Sequence, residues 1–111
     1  MTVKILIKRK FKNANSKNVS EVIATSRGNA MKEKGYISSE TLCSCDDPNS
    51  ILVLSMWKTK EDWDYYKNSP VRKKTEEKFS ALFARPTEYK SYDLGLPFAL
   101  GDAGFVEPLE F

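Results

Sequence analysis

The sequence predicts an α+β fold with one four-stranded antiparallel sheet and helices in the order β-α-β-β-α-β. Three observations carry that expectation. Residues 3–11 and 36–44 alternate in side-chain character with the period of a strand. Residues 51–57, Ile-Leu-Val-Leu-Ser-Met-Trp, form a short apolar run that ends at a helix-capping pattern. Two segments with helical spacing separate the first strand from the second and the third from the fourth.

The first strand places Val3, Ile5, Ile7 and Phe11 on one face and Lys4, Lys8 and Lys10 on the other. Leu6 and Arg9 break this pattern, an apolar group on the polar face and a charge on the apolar one. Residues 13–18 are polar and turn-like. A helix is expected from an Asn18-x-x-Glu21 cap, with Val19, Val22, Ile23 and Ala30 on its apolar stripe. Gly28 lies inside it, where a glycine costs about 1 kcal/mol relative to alanine and suggests close packing. Lys32, Lys34 and Gly35 are expected to close the helix. The second strand then alternates Ile37, Ser39, Thr41 and Cys43 against Tyr36, Ser38, Glu40 and Leu42. Asp46-Asp47-Pro48-Asn49-Ser50 is a turn by composition.

After the third strand, Thr59-Lys60-Glu61-Asp62 opens a short helix carrying Trp63 and Tyr66. Ser69-Pro70 ends it and starts a longer one, because serine caps a helix and proline suits its first position. Val71, Thr75, Phe79, Leu82 and Phe83 form the expected stripe of that helix. Residues 86–94 make the fourth strand, with Tyr89 and Tyr92 on opposite faces. This is the split β-α-β, ferredoxin-like arrangement, in which helices cover one face of the sheet. Strand three is apolar on both faces, so a second subunit is expected to cover the bare one and the chain is expected to form a homodimer. The domain is expected to span residues 1–94, followed by an apolar, glycine- and proline-containing tail over 95–111.

Composition narrows the chemistry. The 111 residues are 41% hydrophobic and 30% charged, as in a soluble single domain. No apolar run approaches the roughly 20 residues needed to span a bilayer, and a secretory leader is not expected. The expected setting is cytoplasmic, without membrane association. There is no histidine, which removes serine–histidine and cysteine–histidine catalysis, histidine-ligated haem and most zinc sites. Cys43 and Cys45 are too close in sequence for an unstrained disulfide and read as free thiols, with a reactive or metal-binding role as the alternative. The formal net charge of +3 conceals an asymmetry. Residues 1–35 hold nine Lys and Arg against Glu21 and Glu33, whereas the acids outnumber the bases over the remainder. Both a solvated surface and docking of the acidic tail on the basic strand are compatible with this pattern. Nucleic-acid binding is not expected, because no recognisable reading motif joins the basic residues.

The strand order, with Gly-Tyr-Ile-Ser-Ser-Glu-Thr-Leu over 35–42 and the strand-tryptophan-helix segment over 51–70, resembles the antibiotic biosynthesis monooxygenase family. The likeness covers about residues 1–94. It implies a dimeric α+β barrel with two sheets packed face to face. It also implies cofactor-independent oxidation of electron-rich aromatic substrates, such as anthrones and quinols, by dioxygen in a space between sheet and helices. On this resemblance Trp57 matches the family tryptophan, and Trp57 and Arg9 are the candidate catalytic residues. Lys8, Tyr36, Trp63, Tyr66 and Phe79 are candidate substrate-binding residues, with Arg9 and Lys8 the cations nearest to an enolate or phenolate. No cofactor and no metal are implied. The haem-degrading branch shares the tryptophan segment, but its histidine ligand aligns with Glu76 and its first-strand asparagine with Lys8, so haem degradation is not expected.

Each aromatic candidate also reads as core: Trp57 at a strand end, Trp63 at helical spacing, and Phe79 with Leu82 and Phe83. Arg9 is expected to pair with an acid across the sheet or dimer, with Glu40 a candidate. Glu61, Asp62 and Asp64 suit a helix start better than a metal site. Leu96, Phe98, Leu100, Phe105, Val106, Leu109 and Phe111 make the tail too apolar for a free end, and it is expected to wrap a partner subunit or close one mouth of the cavity. The function expected is oxidation of a small aromatic or quinol-type metabolite. The alternatives are a non-catalytic ligand-binding or stress-related dimer on the same scaffold, and a structural interaction module built on the tail.

Overall fold

A computed structural model describes residues 1–95, so the apolar tail and the roles expected of it lie outside the described residues. The elements are β1 (Val3–Lys10), α1 (Ser16–Ala30), β2 (Tyr36–Cys43), β3 (Ser50–Trp57), α2 (Lys60–Lys67), α3 (Pro70–Phe79) and β4 (Glu88–Asp93), with a 3-10 turn at Ser80–Leu82. The strands form one sheet in the order β2-β3-β1-β4, and every neighbouring pair is antiparallel. The expected element order and fold class are therefore observed.

The helix starts follow from local chemistry. Thr59 Oγ1 accepts from the Asp62 amide at 3.1 Å, and Ser69 Oγ accepts from the Arg72 amide at 3.2 Å, so two otherwise orphaned donors are satisfied. Helix α1 differs from expectation at both ends. Its cap is Asn15, whose Oδ1 accepts from the Asn18 amide at 2.8 Å, and it stops at Ala30. The polar composition of 16–18 concealed a first helical turn. Gly35 is needed not as a helix stop but at φ +89°, where a Cβ would also collide with the Asp62 carboxylate. Gly28 has no such demand, since a Cβ there would meet nothing within 4 Å. The close packing that a glycine at position 28 would permit is not used.

Two packed clusters lie between the sheet and the helices. Val3, Ile5, Ile7, Val53 and Trp57 meet Ala30, Trp63 and Tyr66 in one, while Phe11 and Ile51 meet Val22, Phe79 and Phe83 in the other. On α3 and the turn after it, Phe79 and Phe83 are buried as expected, but Val71 is 53% exposed and Arg72 is buried in its stead, so the expected stripe is corrected at its first position. A register shift between Tyr36 and Ser38 also changes β2. It puts Tyr36 opposite Trp57 and Ser39 opposite Ser55, where simple alternation would separate Tyr36 from Ser39. The opposite sheet face carries Leu6, Leu42, Leu52, Leu54 and Met56, with Leu6 directly opposite Leu54 and Leu42 opposite Leu52.

Candidate functional site

Strand alternation sends Ile7 and Arg9 of β1 and Val53 and Ser55 of β3 toward the helices, and the bulge in β2 adds Tyr36, Ser39 and Thr41. Above them α1 supplies Ile23, Ser26, Arg27 and Ala30, α2 supplies Trp63 and Tyr66, and α3 supplies Arg72. These side chains surround a space of about 40 Å³. That admits a few waters and is far below the ~300 Å³ of a ligand-filled pocket. An aromatic guest therefore requires side chains on the helix side to move.

The polar centre is built from three distant parts of the chain. Arg9 Nη2 donates to Glu76 Oε1 at 2.6 Å. Arg72 Nη1 lies 2.6 Å from the same oxygen but is not aligned to hydrogen-bond it, and Thr87 Oγ1 donates to Glu76 Oε2 at 2.9 Å. Arg9 and Arg72 are 2% and 3% exposed. Burial by itself pushes the Glu76 carboxyl up, but the two guanidiniums and the hydrogen bonds from Arg9 and Thr87 outweigh it, and the group is held below its usual value. Arg72 also donates to the Tyr89 hydroxyl and lies with its guanidinium carbon 5.2 Å from that ring's centroid. Burial raises the phenols of Tyr66 and Tyr89, with Arg72 partly opposing the rise in both, so they are hydroxyl donors rather than anions at neutral pH. Arg27 reaches the opposite wall, where Nε donates to Ser39 Oγ at 3.0 Å and Nη2 to Thr41 Oγ1 at 3.4 Å.

The candidates divide by position. Arg9, Tyr36, Trp63 and Tyr66 line the space. Trp57 is 0% exposed and stands one layer behind it, stacked on Tyr66 at 5.4 Å between ring centroids and edge-on to Tyr36 at 5.6 Å. Its Nε1 donates to Ser55 Oγ at 2.8 Å, and Ser55 does line the space. Phe79 packs in the other cluster with Phe11 and Phe83. Lys8 is exposed on the opposite side of the sheet, because it alternates with the inward Ile7 and Arg9, and so it does not reach the space. The expected partner of Arg9 is corrected too: Glu76 takes that role, while Glu40 sits opposite Leu54.

Sequence reasoning missed Ser26, Arg27, Ser39, Thr41, Ser55 and Arg72. For Arg72 a signal existed, since Arg72, Glu76 and Phe79 share one helical face at i, i+4 and i+7. Ser55 between Val53 and Trp57 was another, a small polar group on an otherwise apolar strand face. Cys43 and Cys45 are free and exposed. Among the described residues no group of three or more His, Cys, Asp or Glu could hold a metal ion, and no helix is long and apolar enough to cross a membrane.

Comparison with known proteins places this architecture. The chain resembles SnoaB, a cofactor-independent oxygenase from Streptomyces nogalater, with 16% identity, a TM-score of 0.72, and coverage of 87% of this chain and 98% of that one. A conserved protein from Methanosarcina mazei Go1 gives 19% identity, a TM-score of 0.66, and coverage of 83% and 91%. Rv0793 from Mycobacterium tuberculosis gives 15% identity, a TM-score of 0.64, and coverage of 88% and 100%. A search of curated proteins finds no match. The profile of the family described as antibiotic biosynthesis monooxygenase matches residues 2–78, which include β1, the strand-tryptophan-helix segment and most of α3. The chain belongs to the antibiotic biosynthesis monooxygenase family.

Proposed function

We propose that the protein is a homodimeric, cofactor-independent monooxygenase that oxidises a small aromatic or quinol-type metabolite with dioxygen. The observation that carries this reading is the pair of buried guanidiniums, Arg9 and Arg72, on a single carboxylate at the edge of an otherwise largely apolar space. Family membership and the likeness to SnoaB, named as a cofactor-independent oxygenase, support the same chemistry.

An electron-rich phenol or enol needs little from a protein to react with dioxygen except loss of its proton. Glu76, held ionised between two arginines, is a weak base. The contribution of the site is therefore electrostatic, with surplus positive charge favouring the substrate anion in a water-poor space. For an anthrone-type methylene, the carbanion–enolate gives an electron to dioxygen, and carbon and superoxide combine to a peroxide. Loss of water leaves the carbonyl, so that one CH₂ and one O₂ become one C=O and one H₂O. Arg9 holds the anion, Tyr36, Trp63 and Tyr66 wall the ring, and Trp57 acts through Ser55 as a positioning residue. Phe79 supports the adjoining core. The subunits pair through the apolar sheet face that carries Leu6 and Leu54.

The test is oxygen uptake by the dialysed full chain with an anthrone and a hydroquinone, without added flavin or metal. Uptake above autoxidation that falls about 100-fold in Arg9→Gln is expected for loss of one charge-stabilising donor. The small volume favours a second reading, a ligand-binding module without catalysis. Ligand-dependent rises in melting temperature with no uptake would select it.

A further inference from the structure

The charge of the cavity wall is one-sided. Arg9, Arg27 and Arg72 line the space, and no acidic side chain among the described residues does so. Glu76, which pairs Arg9 and Arg72, faces the outer cleft with Thr87 and Arg85 instead. Two guanidiniums share that single carboxylate, so their charges are only half compensated. Donors are also left over. Arg9 Nε is buried without a hydrogen-bond partner, and so is the Ser26 hydroxyl oxygen one residue before Arg27, while Arg72 Nη1 meets Glu76 Oε1 at 2.6 Å without hydrogen-bond alignment. Buried donors of a cation cost stability when unfilled, and a ligand that fills them recovers it.

Arg27 differs from the other two. No described carboxylate pairs with it, and its Nε and Nη2 rest on the neutral hydroxyls of Ser39 and Thr41 at 3.0 and 3.4 Å. Nε and Nη2 form one edge of the guanidinium, the edge whose two parallel N–H bonds match the two oxygens of a carboxylate. Such a group takes the place of Ser39 Oγ and Thr41 Oγ1 on that edge, and the two released hydroxyls can each give it their own proton. Tyr36, whose hydroxyl lies 2.9 Å from Ser39 Oγ, extends that donor set.

We propose that the ligand of this cavity carries a permanently ionised carboxylate in addition to its oxidisable ring, and that Arg27 with Ser39 and Thr41 is the subsite that seats it. The substrate class is then an acidic aromatic or quinol rather than a neutral one. Arg9 and Arg72 face the ring oxygen and Arg27 faces the acid, so the two anionic points of the ligand meet separate cations. The assignment rests on the monooxygenase reading for the ring but not for the carboxylate, whose recognition requires no turnover.

The experiment compares two probes of one ring system, anthraquinone-2-carboxylate and 2-(hydroxymethyl)anthraquinone, binding to the full-length chain by calorimetry. The carboxylate is expected to bind at least about tenfold more tightly, the size of a charge-assisted hydrogen-bonded pair. Arg27→Gln should bring the two probes to within about twofold, and Arg27→Lys should keep part of the preference. Thr41→Glu gives a second variant that leaves Arg27 in place; its new carboxylate should occupy Arg27 and cancel the preference. Equal affinities in the unaltered protein, a preference that survives Arg27→Gln, or no binding of either probe overturns the proposal. Oxygen uptake with a neutral anthrone and with its carboxylated analogue separates the two claims. Uptake without carboxylate preference sinks the subsite alone, and preference without uptake sinks the monooxygenase reading alone.

Discussion

Arg9 Nη2 and Glu76 Oε1, 2.6 Å apart, tie the first strand to α3 across 67 positions of sequence. The same carboxylate oxygen faces Arg72, so its removal strands two buried cations at once. Glu76→Gln is expected to cost about 3 kcal/mol in urea denaturation, the scale for breaking a buried ion pair on one side. The pH dependence follows from the lowered carboxyl. Its stabilisation is complete above the unfolded value, near 4.5, and is lost as pH falls through the lower folded value. A Glu76→Gln protein as stable as the parent at neutral pH would show that this pair is not structural.

A second carboxylate reports on the β2–β3 turn. The Lys10 ammonium, the Asn49 amide and the Ser50 hydroxyl all donate to Asp47, in that order of effect, and hold its carboxyl down from 3.8 to about 2. Because the folded value is depressed, the stabilisation is full above about pH 4 and disappears between there and pH 2. Asp47→Asn should flatten this part of the acid limb, and a carbon-detected NMR titration of Asp47 should give the depressed value directly. A midpoint at or above 3.8 would contradict the hydrogen-bond account.

The two glycines of the α1–β2 region should respond in opposite directions. Gly28 sits in a helix with open space where a Cβ would go, so Gly28→Ala is expected to stabilise by about 0.5–1 kcal/mol. Gly35→Ala meets both a positive φ and a clash with the Asp62 carboxylate, and should cost more than about 1 kcal/mol. Thermal melts of the two variants check the pair. A destabilised Gly28→Ala would mean that this helix face is covered in the assembled protein.

What the sequence revealed of these features depended on the range of the physics involved. The caps at Thr59 and Ser69 and the alternation of β1 and β3 are set within a few residues, and they were legible. The bulge after Tyr36 was not, because the second strand alternates plausibly in either register and only pairing with β3 selects one. That slip hid the meeting of Tyr36 with Ser39. Arg9 was visible as a charge on an apolar face, but its partner lies 67 residues away, and an equally plausible acid, Glu40, stood nearer on the second strand. Ser26, Arg27, Ser39 and Thr41 were missed because, unlike Arg72 and Ser55, they carry no local signal in the sequence. Their meaning comes from the elements that converge there.

Trp57 tests whether the family tryptophan serves the site or only the core. Its ring packs on Tyr36, Trp63 and Tyr66, and its single donor goes to Ser55. Trp57→Phe keeps an aromatic ring and removes that donor, for an expected loss of about 1 kcal/mol. Trp57→Ala should cost about 3–5 kcal/mol through the cavity it leaves. If Trp57 acts through Ser55, then Trp57→Phe and Ser55→Ala should lower kcat of the proposed oxidation by similar factors, and the double variant should be no worse than either alone. Additive losses in kcat would sever that link.

Leu6 and Leu54 face each other on the side of the sheet that the helices leave bare, and Leu42, Leu52 and Met56 continue the patch across β2 and β3. Leu42 is exposed and the other four are only half-buried in the single chain, so apolar surface is left to water and a second copy of the face is the natural cover. Leu54→Lys places a charge next to its cross-strand neighbour Leu6 without touching the cavity on the other side. Sedimentation equilibrium should show a dimer for the unaltered chain at micromolar concentration and a weakened, largely monomeric state for Leu54→Lys. The far-ultraviolet circular dichroism should be retained, because Leu54 lies on the sheet face away from the helices that complete the fold. A parent chain that is monomeric at micromolar concentration, or a dimer indifferent to Leu54→Lys, would mean that something other than this face of a second copy covers the patch.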